Sequence, residues 1–183
     1  MSGLVGDNLA RASGVIASPG GGAILQVKSV QLNSTISVGS SATPVAITAF
    51  NIVFTPTADT SKWCLQLSLN CSTNGSGTGG YFYDSTGAAK IEPYAAASGS
   101  KQRLSWGPTY TVSHCSVNQN FTAWFTPGDT TTRTIQVWAA ADTSKSLYVN
   151  RTYDDGAYTT INYARSASTF TITEYDGSLV TVA

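Results

Sequence analysis

The chain has 183 residues, a formal net charge of +0, and 11% charged against 42% hydrophobic residues. An ordinary soluble domain carries about 25% charged residues, and no cluster of Lys or Arg stands out in this one. That excludes a nucleic-acid or anionic-membrane surface, which needs a basic patch, and no apolar run approaches the ~20 residues of a membrane span.

Residues 1–22 form a short arm that ends in Pro19-Gly20-Gly21-Gly22. Its apolar residues, Leu4, Val5, Leu9, Val15 and Ile16, are scattered among Gly, Ala and Ser. The arm is too short and too rich in small residues to fold alone. The expected role is attachment, with those five side chains as anchors on a partner, and residues 23–183 as the domain so carried. The N-terminus has no basic region followed by an apolar core, so synthesis in a reducing cytoplasm is expected.

From residue 23 onward, strand-length runs alternate with turn signals, and helical spacing never exceeds two turns. Residues 24–32 are the first expected strand, and residues 45–54, between Pro44 and Pro56, the second. Residues 63–71 alternate cleanly. Trp63, Leu65, Leu67, Leu69 and Cys71 point one way and Cys64, Gln66, Ser68 and Asn70 the other, the mark of a half-buried antiparallel strand. Residues 74–80 read as a Gly/Ser/Thr loop. Weaker strands are expected at 81–83, 88–93 and 102–106, and better ones at 109–117, 121–125, 134–140, 147–150 and 169–175. Ser and Thr make up about a quarter of the chain. Thr suits strands and Ser suits turns. Eight to ten short strands of this kind predict an all-β, jelly-roll-like antiparallel β-sandwich behind the extended N-terminal arm.

Candidate chemistry is sparse. Catalysis needs convergent titratable groups, and the chain has one histidine, His114, adjacent to Cys115 in an expected strand, so the two side chains face apart. No catalytic residue is expected. Three cysteines and one histidine lack zinc spacing, and Asp154-Asp155-Gly156 reads as a turn rather than a calcium loop. No metal or cofactor is expected. Cys64 and Cys71 are about 23 Å apart along one strand, too far for a disulfide. The Gly-rich stretch 75–80 lacks the Lys-Ser/Thr ending and the following helix of a phosphate loop. Five Asn-x-Ser/Thr sequons, at Asn33, Asn70, Asn74, Asn120 and Asn150, match chance in so hydroxyl-rich a chain. The aromatic side chains are the remaining candidates. Trp106, before Gly107-Pro108, and Tyr153 and Tyr158, around the Asp-Asp-Gly turn, read as loop-placed; core packing is the default for each aromatic, and stacking on sugar rings or anchoring an interface is the functional alternative. Trp63, Trp124 and Trp138 read as sheet residues.

Five segments, taken in order, resemble a β domain of tailed-bacteriophage virion proteins, frequent in tail fibres and head-decoration proteins of marine and cyanobacterial phages. They are ILQV at 24–27, TPTADTSKWCLQLSLN at 55–70, TPGDTTTRTIQVWAA at 126–140, SLYVNR at 146–151 and SASTFTITEYDG at 166–177. Trp63-Cys64 stands where the family usually has an aliphatic pair, and residues 71–120 match poorly. The resemblance implies a jelly-roll-like sandwich, homotrimeric assembly and a non-enzymatic role on the virion surface. It carries no catalytic residues to transfer. The expected partners are further copies of the chain and a major capsid or tail protein. Head decoration is favoured over a tail location, because the chain lacks a long fibrous repeat. The alternative is a tail-fibre or baseplate-associated receptor-binding protein whose β domain takes a host surface glycan.

Overall fold

The computed structural model describes residues 23–39, 41–75, 77–96, 103–107, 116–142, 144–153 and 165–181. The arm with its five apolar residues, His114, Cys115, Tyr158 and the Asp-Asp-Gly turn lie outside these. The described residues build eleven strands. They are β1 (Ile24–Leu32), β2 (Ile36–Val38), β3 (Ser41–Ala46), β4 (Ile52–Phe54), β5 (Lys62–Thr73), β6 (Thr78–Asp84), β7 (Ala89–Ile91), β8 (Val117–Phe125), β9 (Arg133–Ala141), β10 (Leu147–Val149) and β11 (Ser168–Tyr175).

Two antiparallel sheets pack face to face, as the strand pattern predicts. The first is centred on β5. One edge of β5 pairs with β8, from Trp63↔Phe125 to Cys71↔Val117. Its other edge pairs with β11 over the first part, Lys62 to Ser68, and with β10 over the last, Cys71 to Thr73. Beyond β11 lies β1 and beyond β10 lies β2. The second sheet is centred on β9, with β3 and β4 on one edge and β6, then β7, on the other.

The alternation in β5 explains the core. Trp63, Leu65, Leu67, Leu69 and Cys71 are all buried in the hydrophobic cluster between the sheets. Trp63 meets Phe54 of the second sheet edge-on at 4.7 Å. Phe82 of β6 stacks on Phe170 of β11 at 5.1 Å and lies 5.3 Å from Phe121 of β8. These rings lock one layer to the other, each buried side chain contributing roughly 1.5–3 kcal/mol. Both described cysteines are buried thiols, Cys71 inward and Cys64 on the outer face, and burial pushes the pKa of the Cys64 thiol up.

Three expectations are corrected. Residues 45–54 are not one strand. A 3-10 turn at Thr48–Phe50 divides them, because Ile47, Phe50, Ile52 and Phe54 must all reach the core and an unbroken period of two would not bring them there. The Gly-rich loop ends earlier than expected, since β6 already begins at Thr78. Of 102–106, the described part joins the sheet only through the bridge Gly80↔Trp106.

Buried polar joints hold the irregular parts together. Asn150, at φ 60 and fully buried, donates to the carbonyls of Leu32 (2.7 Å) and Ser34 (2.9 Å) and accepts from the Ser168 hydroxyl (2.6 Å). The same hydroxyl accepts from the Asn70 amide at 2.9 Å. Glu174, also fully buried, accepts from the Thr57 amide (2.6 Å), the Thr57 hydroxyl (2.8 Å) and the Gln26 side chain. Arg133 pairs with buried Asp84 and exposed Asp129 and donates to the Pro127 carbonyl. Glu174 sits within a strand, where a carboxylate is tolerated because every oxygen is bonded.

Candidate functional site

Trp106 occupies a loop, as its Gly-Pro neighbours imply, but only 6% of it is exposed. The reason is the backbone beside it. Gly80 exchanges hydrogen bonds with the 105–106 segment, from Gly80 N to the Trp106 carbonyl at 3.0 Å and from Ser105 N to the Gly80 carbonyl at 2.7 Å. A Cβ on Gly80 would collide with the Trp106 ring and the Trp138 carbonyl. The glycine therefore lets the indole lie down into the core, and its face is not open for stacking. Gly80→Ala is expected to destabilise the fold by about 1–3 kcal/mol through overpacking, read as a lower midpoint in urea unfolding. An unchanged midpoint would show that the indole moves aside freely.

Next to Trp106 lies a cavity of about 410 Å³, walled by Thr78, Leu104, Ala140, Ala141 and Asp142 among others. Its size lies within the roughly 300–1,000 Å³ of small-molecule sites. Asp142 is the one carboxylate among its described lining residues, and the walls are otherwise hydrocarbon, hydroxyl and glycine backbone. General acid–base chemistry takes two titratable groups, and the described lining supplies one carboxylate. Among the described residues no three His, Cys, Asp or Glu lie together as metal ligands would, and no helix is long and apolar enough to cross a membrane.

A different surface brings more of the candidate residues together. The outer face of the first sheet is built from the side chains that point away from the core. From β5 these are Cys64, Gln66, Ser68 and Asn70. The registers set Trp124, Thr122, Asn120 and Asn118 of β8 beside them on one side. On the other side, Thr173, Thr171 and Thr169 of β11 lie opposite Cys64, Gln66 and Ser68. Val27, Ser29 and Gln31 of β1 come next in the same rows. None of these positions carries a charge. Ser29 and Thr171 hydroxyls bond at 2.9 Å, and Asn118 donates to Ser68 at 3.0 Å. Gln66, Asn120 and Thr122 are exposed.

Aromatic pairs bound this face at both ends of β5. At one end, Trp124 lies 5.3 Å from Tyr175. At the other, Tyr148 of β10 stands opposite Ser72 of β5 and lies 5.6 Å from Tyr153, which is 39% exposed. Arg151 lies over the Tyr148 ring at 4.3 Å and donates to the Ser37 hydroxyl. Of the three loop aromatics singled out in the sequence, Tyr153 is thus on an open face and Trp106 is in the core. Trp124, read as a sheet residue, is one, in β8, and its side chain joins the face. Its position on the outward register of β8 was the available signal.

No protein-family model matches the chain, and no curated protein matches it. Among solved structures it is similar to VP2 capsid chains of infectious bursal disease virus. One is a mutant VP2 in derived T=1 particles, at 12% identity and a TM-score of 0.44, covering 81% of this chain and 36% of that one. Another is the Gt strain, at 15% identity and a TM-score of 0.44, covering 82% and 37%. A third is the VP2 subviral particle, at 11% identity and a TM-score of 0.41, covering 85% and 43%. The chain spans less than half the length of these proteins.

Proposed function

We propose that this chain is a non-enzymatic structural protein of a tailed-phage virion, made in the host cytoplasm and displayed on the particle surface. Residues 1–22 attach it to a major capsid or tail protein, and the β-sandwich projects as part of a homotrimer. Head decoration is the favoured location. The observation that carries this reading is where the five resembling segments fall. They supply strands β1, β5, β9, β10 and β11 and the polar joints at Ser61, Arg133, Asn150, Ser168 and Glu174. The resemblance thus falls on the framework of the domain rather than on a reaction centre.

Deleting residues 1–22 tests the attachment. The truncated domain is expected to keep the circular dichroism and melting temperature of the full chain and to lose incorporation into particles. Incorporation at the normal level would sink the anchoring role of the arm. The same domain on a tail fibre is the second reading. The uncharged outer face of the first sheet, flanked by aromatic pairs, is the observation that favours it.

A further inference from the structure

We propose that the outer face of the β8–β5–β11–β1 sheet binds a neutral polysaccharide chain lying along β5. The argument starts from charge. Side chains outward from Cys64 to Asn70, and those beside them in register, include neither a cation nor a carboxylate. The nearest cations stand at the two aromatic ends, Lys62 opposite Tyr175 and donating to the Val180 carbonyl, and Arg151 over the Tyr148 ring; between those ends an anionic polymer finds no counter-charge, and a neutral one loses none. The exposed groups Gln66, Asn120 and Thr122 each offer a donor and an acceptor, as sugar hydroxyls do. Hydrogen bonds to water are exchanged for hydrogen bonds to sugar without stranding a charge. The half-buried Trp124 and exposed Tyr153 supply apolar ring surface at the two ends.

The shape of the face selects the occupant. Four strands about 4.8 Å apart and about seven residues long present roughly 400 Å². A linear chain needs only a strip, and the polar rows between two aromatic pairs form one. Such a site deepens the fibre reading of the domain. It is tested on the isolated protein, so its failure is separable from failure of the arm to attach.

The test is native affinity electrophoresis of the full chain. The gels contain soluble β-glucan, mannan or galactan, with alginate and polygalacturonate as anionic controls. At least one neutral polysaccharide is expected to retard the protein, and neither anionic one. The double variant Gln66→Glu with Asn120→Asp keeps side-chain size at exposed positions, and Tyr153→Ala trims an exposed ring. Each variant is expected to melt within a few degrees of the parent. The double variant is expected to bind about tenfold more weakly, as loss of two hydrogen bonds implies. Absence of retardation by every neutral polysaccharide would overturn the proposal. So would retention unaffected by both variants. A drop in light-scattering mass in the double variant, without glycan binding in the parent, would make the face a subunit contact and overturn it as well.

Discussion

Replacing Asn150 with Ala is expected to cost about 4 kcal/mol. The side chain is fully buried and makes three hydrogen bonds, two to carbonyls and one from a hydroxyl. Removing it strands the Leu32 carbonyl and the Ser168 hydroxyl proton, both buried, at about 1–3 kcal/mol each, while the carbonyl of exposed Ser34 turns to water. Its backbone adds to this. At φ 60 Asn is tolerated better than Ala, by up to about 1–2 kcal/mol. For a domain of this size the sum corresponds to a fall in Tm of roughly 8–16 °C. Two further substitutions separate the causes. Asn150→Gly restores backbone freedom but not the bonds, so it should recover only the smaller share. Asn150→Asp keeps the size and the acceptor from Ser168 but turns a carboxylate toward two carbonyls, and should be at least as damaging as Ala. Thermal unfolding of the three proteins checks the ranking. Equal stability of Gly and parent would mean the side-chain bonds contribute nothing net.

That joint shows how far the residues alone could be read. The strong alternation of 63–71 named β5 and its core face correctly, and the first strand was expected with the bounds that β1 has. Both rest on side-chain period, which is local. The division of 45–54 was hidden because its apolar residues run almost without a break, Ile47, Phe50, Ile52 and Phe54 buried but Val45 and Val53 exposed, so periodicity did not reveal a change of direction. Residues 78–80 looked like a loop because glycine disfavours strands. Only the approach of Trp106 explains why glycine is needed there. The outward polar half of β5 was plain in Gln66, Ser68 and Asn70. Its enlargement into a four-strand face depends on β8, β11 and β1 lying alongside, which is a matter of strand order. Strand order is set by contacts far apart in the chain, such as the bond from Ser168 to Asn150 and those from residues 57 and 26 to Glu174.

Glu174 should make the protein sensitive to acid. Burial acts to raise its pKa, but hydrogen bonds from Ser61, the Thr57 amide, Gln26 and the Thr57 hydroxyl outweigh that and hold the carboxyl below its usual range. The unfolded chain returns it to about 4.3. A carboxyl depressed in the folded state contributes stability that is fully present above the unfolded value. That stability is lost as pH falls from there through the folded pKa. Asp129, held down first by the Thr131 amide, and Asp176, held down first by the Ser178 hydroxyl, are lowered in the same direction but are exposed, so solvent screening leaves them little weight. The informative quantity is therefore a difference. Glu174→Gln keeps the shape and removes the charge, so its NH₂ faces donors in place of an acceptor. It is expected to lose about 1–3 kcal/mol at neutral pH, as leaving a buried donor without its acceptor does. The gap between parent and variant should close below about pH 4, as the parent's carboxyl takes up its proton. Urea unfolding at pH 7 and at successive steps from pH 5 to pH 3 measures it. A gap that stays constant across that range would mean that the carboxylate's charge is not what ties residues 26, 57 and 61 to β11.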